Sequence, residues 1–237
     1  NKLIKLLHDA RKQGVLSSTA ASTHAYLCSA LLKVADAALQ SGCPPPAPDV
    51  VRVVVEMLPT SVGGAPQAAA LLWRLAAHGQ DELACEQGAI APLTSVLRSA
   101  LEAHKQALRL GGPALESNEA TIAWCTCALW RLFHSRNAPQ LAASSGAIEV
   151  FLSTMEVTAR SQPCEAARRA AIACLGLMFK QGDLLAALLE ASAPDRLHAF
   201  VVSAAWHVNA RRSAMRALAE WDKTARLDGS TADAGRM

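Results

Sequence analysis

Three long segments of the chain carry apolar residues at intervals of three and four positions. They cover residues 65–78, 118–134 and 164–180. Apolar side chains at i, i+3, i+4 and i+7 lie on one face of an α-helix. Each segment is therefore predicted to be an amphipathic helix with one apolar stripe facing a core.

The second and third of these helices follow the same arrangement of shorter segments. A short helix is predicted at 81–87 and again at 138–145. Each is followed by the tripeptide Gly-Ala-Ile, which begins at Gly88 or Gly146, and a second helix is predicted to begin there. The two glycines are predicted to make the tight bend between the two helices, because a Cβ would be strained at that point.

The chain also repeats itself at longer range. The tetrapeptide Leu-Trp-Arg-Leu occurs at 72–75 and at 129–132. Weaker copies of the same helix occur at 30–35, 173–179 and 215–221. The copies recur every 41 to 46 residues with one longer interval, which is typical of a helical solenoid.

Composition favours closely packed helices. Hydrophobic residues make up 51% of the chain, which excludes a disordered class, and aromatic residues only 4%. A core rich in Ala and Leu suits helices whose axes approach closely. One segment is ambiguous: β-propensity alone would make Val50–Val55, which reads VVRVVV, a strand. Its proline-rich entry and helical neighbours favour a helix.

The motifs at 65–180 resemble the armadillo repeat. In that family a Gly-Ala-Ile segment opens the second helix of each unit, as in GAIAPLTSVL from Gly88, and an Ala-Leu-Trp-x-Leu segment lies in the third, as in CALWRL from Cys127. The resemblance is weaker outside this range. It implies an all-α fold, namely a right-handed superhelical solenoid of about four to five three-helix armadillo-like repeats. The related HEAT repeat is the alternative.

The repeat pattern predicts how the chain is divided. The predicted parts are a partial N-terminal repeat (second and third helices) at 1–42, a repeat with a proline-rich entry at 43–79, a repeat with an insertion near 104–117 at 80–136, repeats at 137–181 and 182–227, and a disordered tail at 228–237. The second helix of the third part is predicted to be lengthened to Leu110. Because a solenoid end needs a polar cap, the apolar segment 3–7 predicts further N-terminal repeats or a neighbouring subunit covering that end.

Motifs that carry enzyme chemistry are absent. The sequence has no glycine-rich phosphate loop, no HExxH and no GxSxG. We therefore expect a protein that is not an enzyme and needs no cofactor. Cys125, Cys127 and His134 suggest a metal site at first sight. On a helix, however, the two cysteines lie about 160° apart, which favours packed thiols over metal ligands.

The seven cysteines are odd in number and match no zinc spacing. They predict buried reduced thiols in an intracellular, reducing compartment, either the cytoplasm or a ciliary or organellar assembly. No apolar run is long enough for a membrane span, and no signal peptide is visible. The net charge of +3 is too small to favour a nucleic-acid partner.

The armadillo resemblance also implies candidate binding positions. In family members that bind extended peptides, a third-helix Trp stacks on the ligand and an Asn four residues later binds its backbone. By this resemblance the Trp positions hold Trp73, Trp130, Gly176 and Ala219, and the Asn positions hold Ala77, His134, Lys180 and Lys223. The Trp–Asn ladder is therefore incomplete, and nuclear-import-signal binding is not implied. Groove contact and packing between repeats both remain open for the two tryptophans.

Charge gives a second indication. Residues 160–226 contain ten basic and six acidic residues, whereas the first 159 residues are balanced. The basic candidates on the predicted concave face are Arg169, Lys180, Arg212, Arg216 and Lys223. They indicate either a surface for an acidic partner segment at the C-terminal half of the groove or simply a solvated face.

These observations favour a non-catalytic protein–protein interaction scaffold that docks partners on its concave third-helix face. A structural or adaptor subunit of a larger assembly is the first interpretation. A soluble adaptor that binds acidic or extended peptide segments transiently, as in transport or signalling, is the second. An RNA-binding solenoid and a regulatory region of a larger enzyme remain as further alternatives.

Overall fold

The computed structural model describes residues 26–34, 37, 41, 48–58, 64–110, 115–157, 161–203 and 208–227. Helices account for the regular structure of this part of the chain, and it contains no strand. The all-α prediction is therefore confirmed for these residues. The chain divides into two compact units, Asn1–Ala138 and Pro139–Met237.

The described part of unit 1 is built from short helices followed by two long ones. They are α1 (26–34), α2 (Pro48–Met57), α3 (Ala65–Leu75), α4 (Asp81–Glu86), α5 (Ile90–Leu110) and α6 (Leu115–Leu132). Helix α6 packs against both α3 and α5. Ile122, Cys125 and Leu129 of α6 are buried, and so are both leucines of the Leu-Trp-Arg-Leu motif in α3. The repeated motif therefore supplies core residues as well as its tryptophan.

Unit 2 starts within α7 (Ala138–Ser144), whose first residue ends unit 1. Its other helices are α8 (Ala147–Met155), α9 (Gln162–Met178), α10 (Leu185–Glu190), α11 (Ala193–Ser203) and α12 (Val208–Leu227), with a 3-10 turn at Gly182–Leu184. Helix α9 packs against α8 and α12, and α12 also packs against α11.

The α9–α12 contact in unit 2 depends on a small residue and an aromatic pair. A Cβ added at Gly176 would lie 3.3 Å from the Cβ of Ala217, a tighter contact than most, so a glycine there lets the two helices approach without displacing Ala217. The rings of Phe179 and Trp221 meet edge to face with centroids 5.3 Å apart. Gly176, which the armadillo resemblance aligned with a Trp position, is thus a packing residue in this chain.

Most of the predicted helices are confirmed, with shifted ends. Val50–Val55 is helical, as part of α2, and α5 ends at Leu110. The third helix predicted from 118 begins at Leu115, and the one predicted at 164–180 spans Gln162–Met178.

The first predicted long helix differs more. It ends at Leu75 and is followed by the segment Ala76–Gln80, which is kinked at Gly79, where φ is 79°. This left-handed glycine redirects the chain into α4, and the apolar periodicity did not reveal it.

Several predictions fall outside the described residues. They concern the second helix of the N-terminal repeat, most of the proline-rich entry at 42–47, the loop at 111–114 and the tail at 228–237. The repeat boundaries, the repeat number and the solenoid arrangement stay predictions.

Candidate docking surfaces

In unit 1 the exposed side of α3 meets that of α6 through two tryptophans. The rings of Trp73 and Trp124 have centroids 5.8 Å apart and are tilted by 56°. The guanidinium carbon of Arg74 lies 4.6 Å from the centroid of the Trp73 ring, a cation–π geometry. Trp73 is half-buried, whereas Trp124 keeps 37% of its surface exposed. The pair thus presents apolar indole surface to solvent.

The face of α6 that carries Trp124 lies opposite its core stripe. Ala120, Trp124, Cys127 and Arg131 follow one another at intervals of four, three and four residues, and each keeps some exposed surface. This spacing puts them on a single side of the helix. We call Trp73, Arg74, Trp124 and Arg131 the aromatic ridge. Its charged members are both cations.

The predicted residues of unit 1 fall partly on this ridge. Trp73 belongs to it, and Ala77 lies half-buried one turn further along the chain. Trp130 is half-buried and lies about 120° around α6 from Trp124. Its ring meets the exposed His134, with centroids 6.1 Å apart. The structure therefore pairs Trp73 with Trp124, a residue that sequence analysis did not single out, and not with Trp130.

The cysteine–histidine group does not converge. Cys125 is fully buried, Cys127 is partly exposed and His134 is exposed. Among the residues that the structure describes, no three His, Cys, Asp or Glu side chains come close enough to hold a metal ion.

Burial also controls the thiols. It raises the pKa of Cys125 to about 12 and that of Cys28 to about 12, and it raises the pKa of Cys85 as well. A thiol with a raised pKa is largely protonated at neutral pH and is a poor nucleophile or metal ligand. Of the six described cysteines, none is in a disulfide bond.

A cavity of about 320 Å³ lies in unit 1 between α5 and the start of α6. Its polar lining consists of hydroxyl and amide side chains, those of Ser95, Ser99, Ser117, Asn118 and Thr121. Its other lining residues are apolar. Since none of the lining residues is an acid or a base, the cavity has no group suited to proton transfer.

In unit 2 the two adjacent arginines of α9 have different environments. Arg169 is exposed, as predicted. Arg168 is 1% exposed. Its guanidinium donates to the backbone carbonyls of Met155 and Val157 and to the carboxylate of Glu165. Arg168 therefore ties the end of α8 to α9, and its charge is not available to a partner.

The remaining basic candidates lie on the surface of unit 2. Lys180 is exposed and its Nζ lies 4.0 Å from Oε1 of Glu220, a long ion pair. Arg212, Arg216 and Lys223 are exposed on α12. Intervals of four and seven residues place these three within about 40° of one another around the helix. Ala219, at the last predicted Trp position, is exposed on the same side.

Within the described residues no single helix is long and apolar enough to cross a membrane. Taken together, the helices Gln162–Met178 and Gly182–Glu190 have the length and apolar composition of a membrane span, but a bend of 108° separates them.

Comparisons with known proteins give little more. No family model matches the chain, and no curated protein matches it. Among solved structures, the chain is similar to a crystal structure described as an engineered protein of the Northeast Structural Genomics Consortium, with 17% sequence identity and a TM-score of 0.49. The match covers 94% of this chain and 98% of that one. A likeness of this size does not identify a function.

Proposed function

We propose that the chain is a non-catalytic protein–protein interaction scaffold with armadillo-like repeats. The observation that carries the proposal is the aromatic ridge. Its indole surface is held between two packed helices, so a partner that covers it gains apolar burial while the ridge itself needs little ordering. Tryptophan and arginine are the residues most enriched in the parts of interfaces that dominate affinity.

Three bends with the same geometry support the repeat part of the proposal. Gly88, Gly146 and Ser192 have φ of 75°, 73° and 52°, and each closely precedes the second helix of a three-helix triplet that opens with a short helix. In each case the backbone N–H donates to the carbonyl three residues earlier, at Cys85, Ala143 and Leu189. The triplets are α4 to α6, α7 to α9 and α10 to α12. The recurrence of one backbone device favours repeated units over an unrelated helical fold.

Within this function we favour a structural or adaptor subunit of a larger assembly. The irregular repeat lengths and the missing Trp–Asn ladder argue against a general peptide-binding groove. A soluble adaptor that binds extended or acidic segments transiently is the second candidate, and the exposed cations of α12 favour it. An intracellular location, in the cytoplasm or in a ciliary or organellar assembly, belongs to the same proposal.

The test is purification of the tagged chain from its native cells at physiological salt, with measurement of the mass and composition of the eluted particle. Wild type is compared with Trp124→Ala. The matched control is Leu108→Ala, which removes an apolar side chain 47% exposed on α5, outside the ridge.

We expect a stoichiometric protein complex that Trp124→Ala loses and Leu108→Ala keeps. A particle of the chain's own mass would instead favour the transient adaptor. A complex unchanged by Trp124→Ala would remove the ridge from the proposal, and co-eluting nucleic acid would contradict the protein-scaffold function itself.

A further inference from the structure

We propose that α12 is a docking surface for an acidic amphipathic helix of a partner protein. The inference rests on the proposed scaffold function, and it adds a second surface, in unit 2, with the chemistry of its ligand. We call this surface the α12 strip. It consists of Arg212, Met215, Arg216, Ala219, Lys223 and Arg226, all exposed.

The strip lies on the side of α12 that faces away from its neighbours. The buried residues of the helix are Ala210, Ala214, Ala217 and Ala225, which form one narrow stripe against α9 and α11. At about 100° per residue, the centre of the strip lies on the opposite side of the helix. The strip is therefore accessible along its whole length within unit 2.

The strip contains four cations and no carboxylate. The two acids of α12 border it: Glu220 lies one turn after Arg216 and is the ion-pair partner of Lys180, and Asp222 lies one turn before Arg226 at the edge of the strip. Among the described residues, Arg212, Arg216 and Lys223 have no ion-pair partner. Like charges one turn apart repel each other, so carboxylates of a partner would relieve repulsion that the separate chain retains.

A polar end cap would not by itself require this charge pattern. A helix that only caps the end of a stack of repeats needs a hydrophilic outer face, and charges of either sign provide one. The long surface helix of unit 1, α5, shows the usual solution, because its Lys105 pairs with Glu102 at 2.9 Å. The excess of cations on the α12 strip thus points to a partner of opposite sign.

The apolar members of the strip indicate a helix. Met215 is 55% exposed and lies between Arg212 and Arg216 in sequence, and Ala219 leaves room for a second helix axis to come close. Arg212 to Arg226 spans about 21 Å, which matches a partner helix of about 14 residues. No described residue of the strip is aromatic, so the strip offers single-stranded nucleic acid no stacking surface.

Fluorescence anisotropy with the full chain tests the proposal. The probe is a labelled synthetic helix of about 14 residues with Glu at i, i+4, i+7 and i+11 and Leu beside them. The comparison peptide has the same composition in scrambled order. The variants are Arg212→Glu with Arg216→Glu, Met215→Ala, and the control Arg109→Glu with Arg136→Glu, which makes the same charge change at exposed positions in unit 1.

We expect the probe to bind with a strong salt dependence and to bind about tenfold more weakly to the strip double variant. The control double variant should change affinity less than about twofold, and Met215→Ala should weaken binding several-fold. Trp124→Ala should bind the probe normally, so loss of native partners at the aromatic ridge and loss of probe binding at α12 report separately.

Three results would overturn the inference. They are equal binding of the probe to the strip double variant, equal binding of the scrambled peptide, and tighter binding of single-stranded RNA or phosphatidylserine vesicles that the same double variant abolishes. Circular dichroism of each variant checks that the exposed substitutions leave the fold intact.

Discussion

Arg168 is expected to be the most sensitive charged residue of unit 2. Its side chain is 1% exposed, with Nε 3.1 Å from the carbonyl oxygen of Met155 and Nη1 2.7 Å from Oε2 of Glu165. Nη2 donates to the carbonyl oxygen of Val157. Met155 is the last residue of α8, whose final carbonyls have no partner within the helix. The guanidinium therefore caps α8 from α9.

Replacing Arg168 with Met keeps a long side chain and removes the hydrogen bonds to Met155, Val157 and Glu165. The carbonyl of Met155, whose hydrogen bond is buried, costs about 1–3 kcal/mol when it is left without a donor, and that of Val157, whose hydrogen bond is partly buried, costs less. The loss at Glu165 counts for less, because its side chain is 30% exposed and water can solvate it. We expect Arg168→Met to lower the free energy of unfolding by about 2–4 kcal/mol, mostly from the two carbonyls that lose their donor.

Two further variants separate charge from hydrogen-bond geometry. Arg168→Lys keeps the charge but cannot reach three acceptors with one ammonium group, so we expect a loss of about 1–2 kcal/mol. Glu165→Gln keeps an acceptor at a partly exposed position and should cost less than about 1 kcal/mol. Together they test whether the carbonyl contacts dominate.

The assay is urea unfolding followed by far-ultraviolet circular dichroism, with hydrogen exchange locating the change at the end of α8. Arg169→Met is the matched control, because it removes an exposed arginine at the next position and should change stability by less than about 0.5 kcal/mol. If Arg168→Met were no more destabilising than Arg169→Met, the capping role would be wrong.

Two other predictions follow from backbone and thiol chemistry. Ser192→Gly should raise the free energy of unfolding by about 0.5–1 kcal/mol, since a non-glycine residue at φ 52° is strained. Gly146→Ala should lower it by about 1 kcal/mol for the same reason. Thermal unfolding measures both changes, and a destabilising Ser192→Gly would contradict the equivalence of the bends. At pH 8 a thiol with a pKa near 12 is about one part in ten thousand thiolate. Iodoacetamide with peptide mass spectrometry should therefore modify the partly exposed Cys127 long before Cys28 or Cys125, and equal rates in the folded chain would refute the burial argument.

The three bends at Gly88, Gly146 and Ser192 show how much of the backbone conformation residue type alone predicts. Gly88 and Gly146 were predicted to make tight bends because glycine adopts positive φ without strain, and both do so. Ser192 makes the same turn, yet Ser-Ala-Pro in place of Gly-Ala-Ile concealed it. Serine at positive φ is held there by the helices on either side, and such context does not appear in a local motif.

Arg168 and Trp124 show why the candidate sites were harder to predict than the helices. The apolar period identifies which face of a helix is buried, but a charged residue within a mostly apolar face is read as a break in the pattern. Arg168 can be buried because carbonyl oxygens at the end of α8 accept hydrogen bonds from its guanidinium. The position of those oxygens depends on how α8 ends. A sequence pattern has no access to that distance.

For Trp124 the helical period of apolar residues was enough to place the side chain on the solvent-facing side of α6, but the family resemblance pointed to Trp130 instead. Trp130 lies in the armadillo-like Ala-Leu-Trp-x-Leu segment, so the resemblance made it a candidate for groove contact, with packing between repeats equally open. Counting six residues back at about 100° each places Trp124 about 120° away, on the stripe opposite Ile122, Cys125 and Leu129. A tryptophan on the non-core stripe of an amphipathic helix is the stronger signal for a surface role, because nothing in the folding of that helix requires it there. The helical geometry of this chain therefore indicates Trp124 as the central residue of the aromatic ridge, whereas the family motif does not.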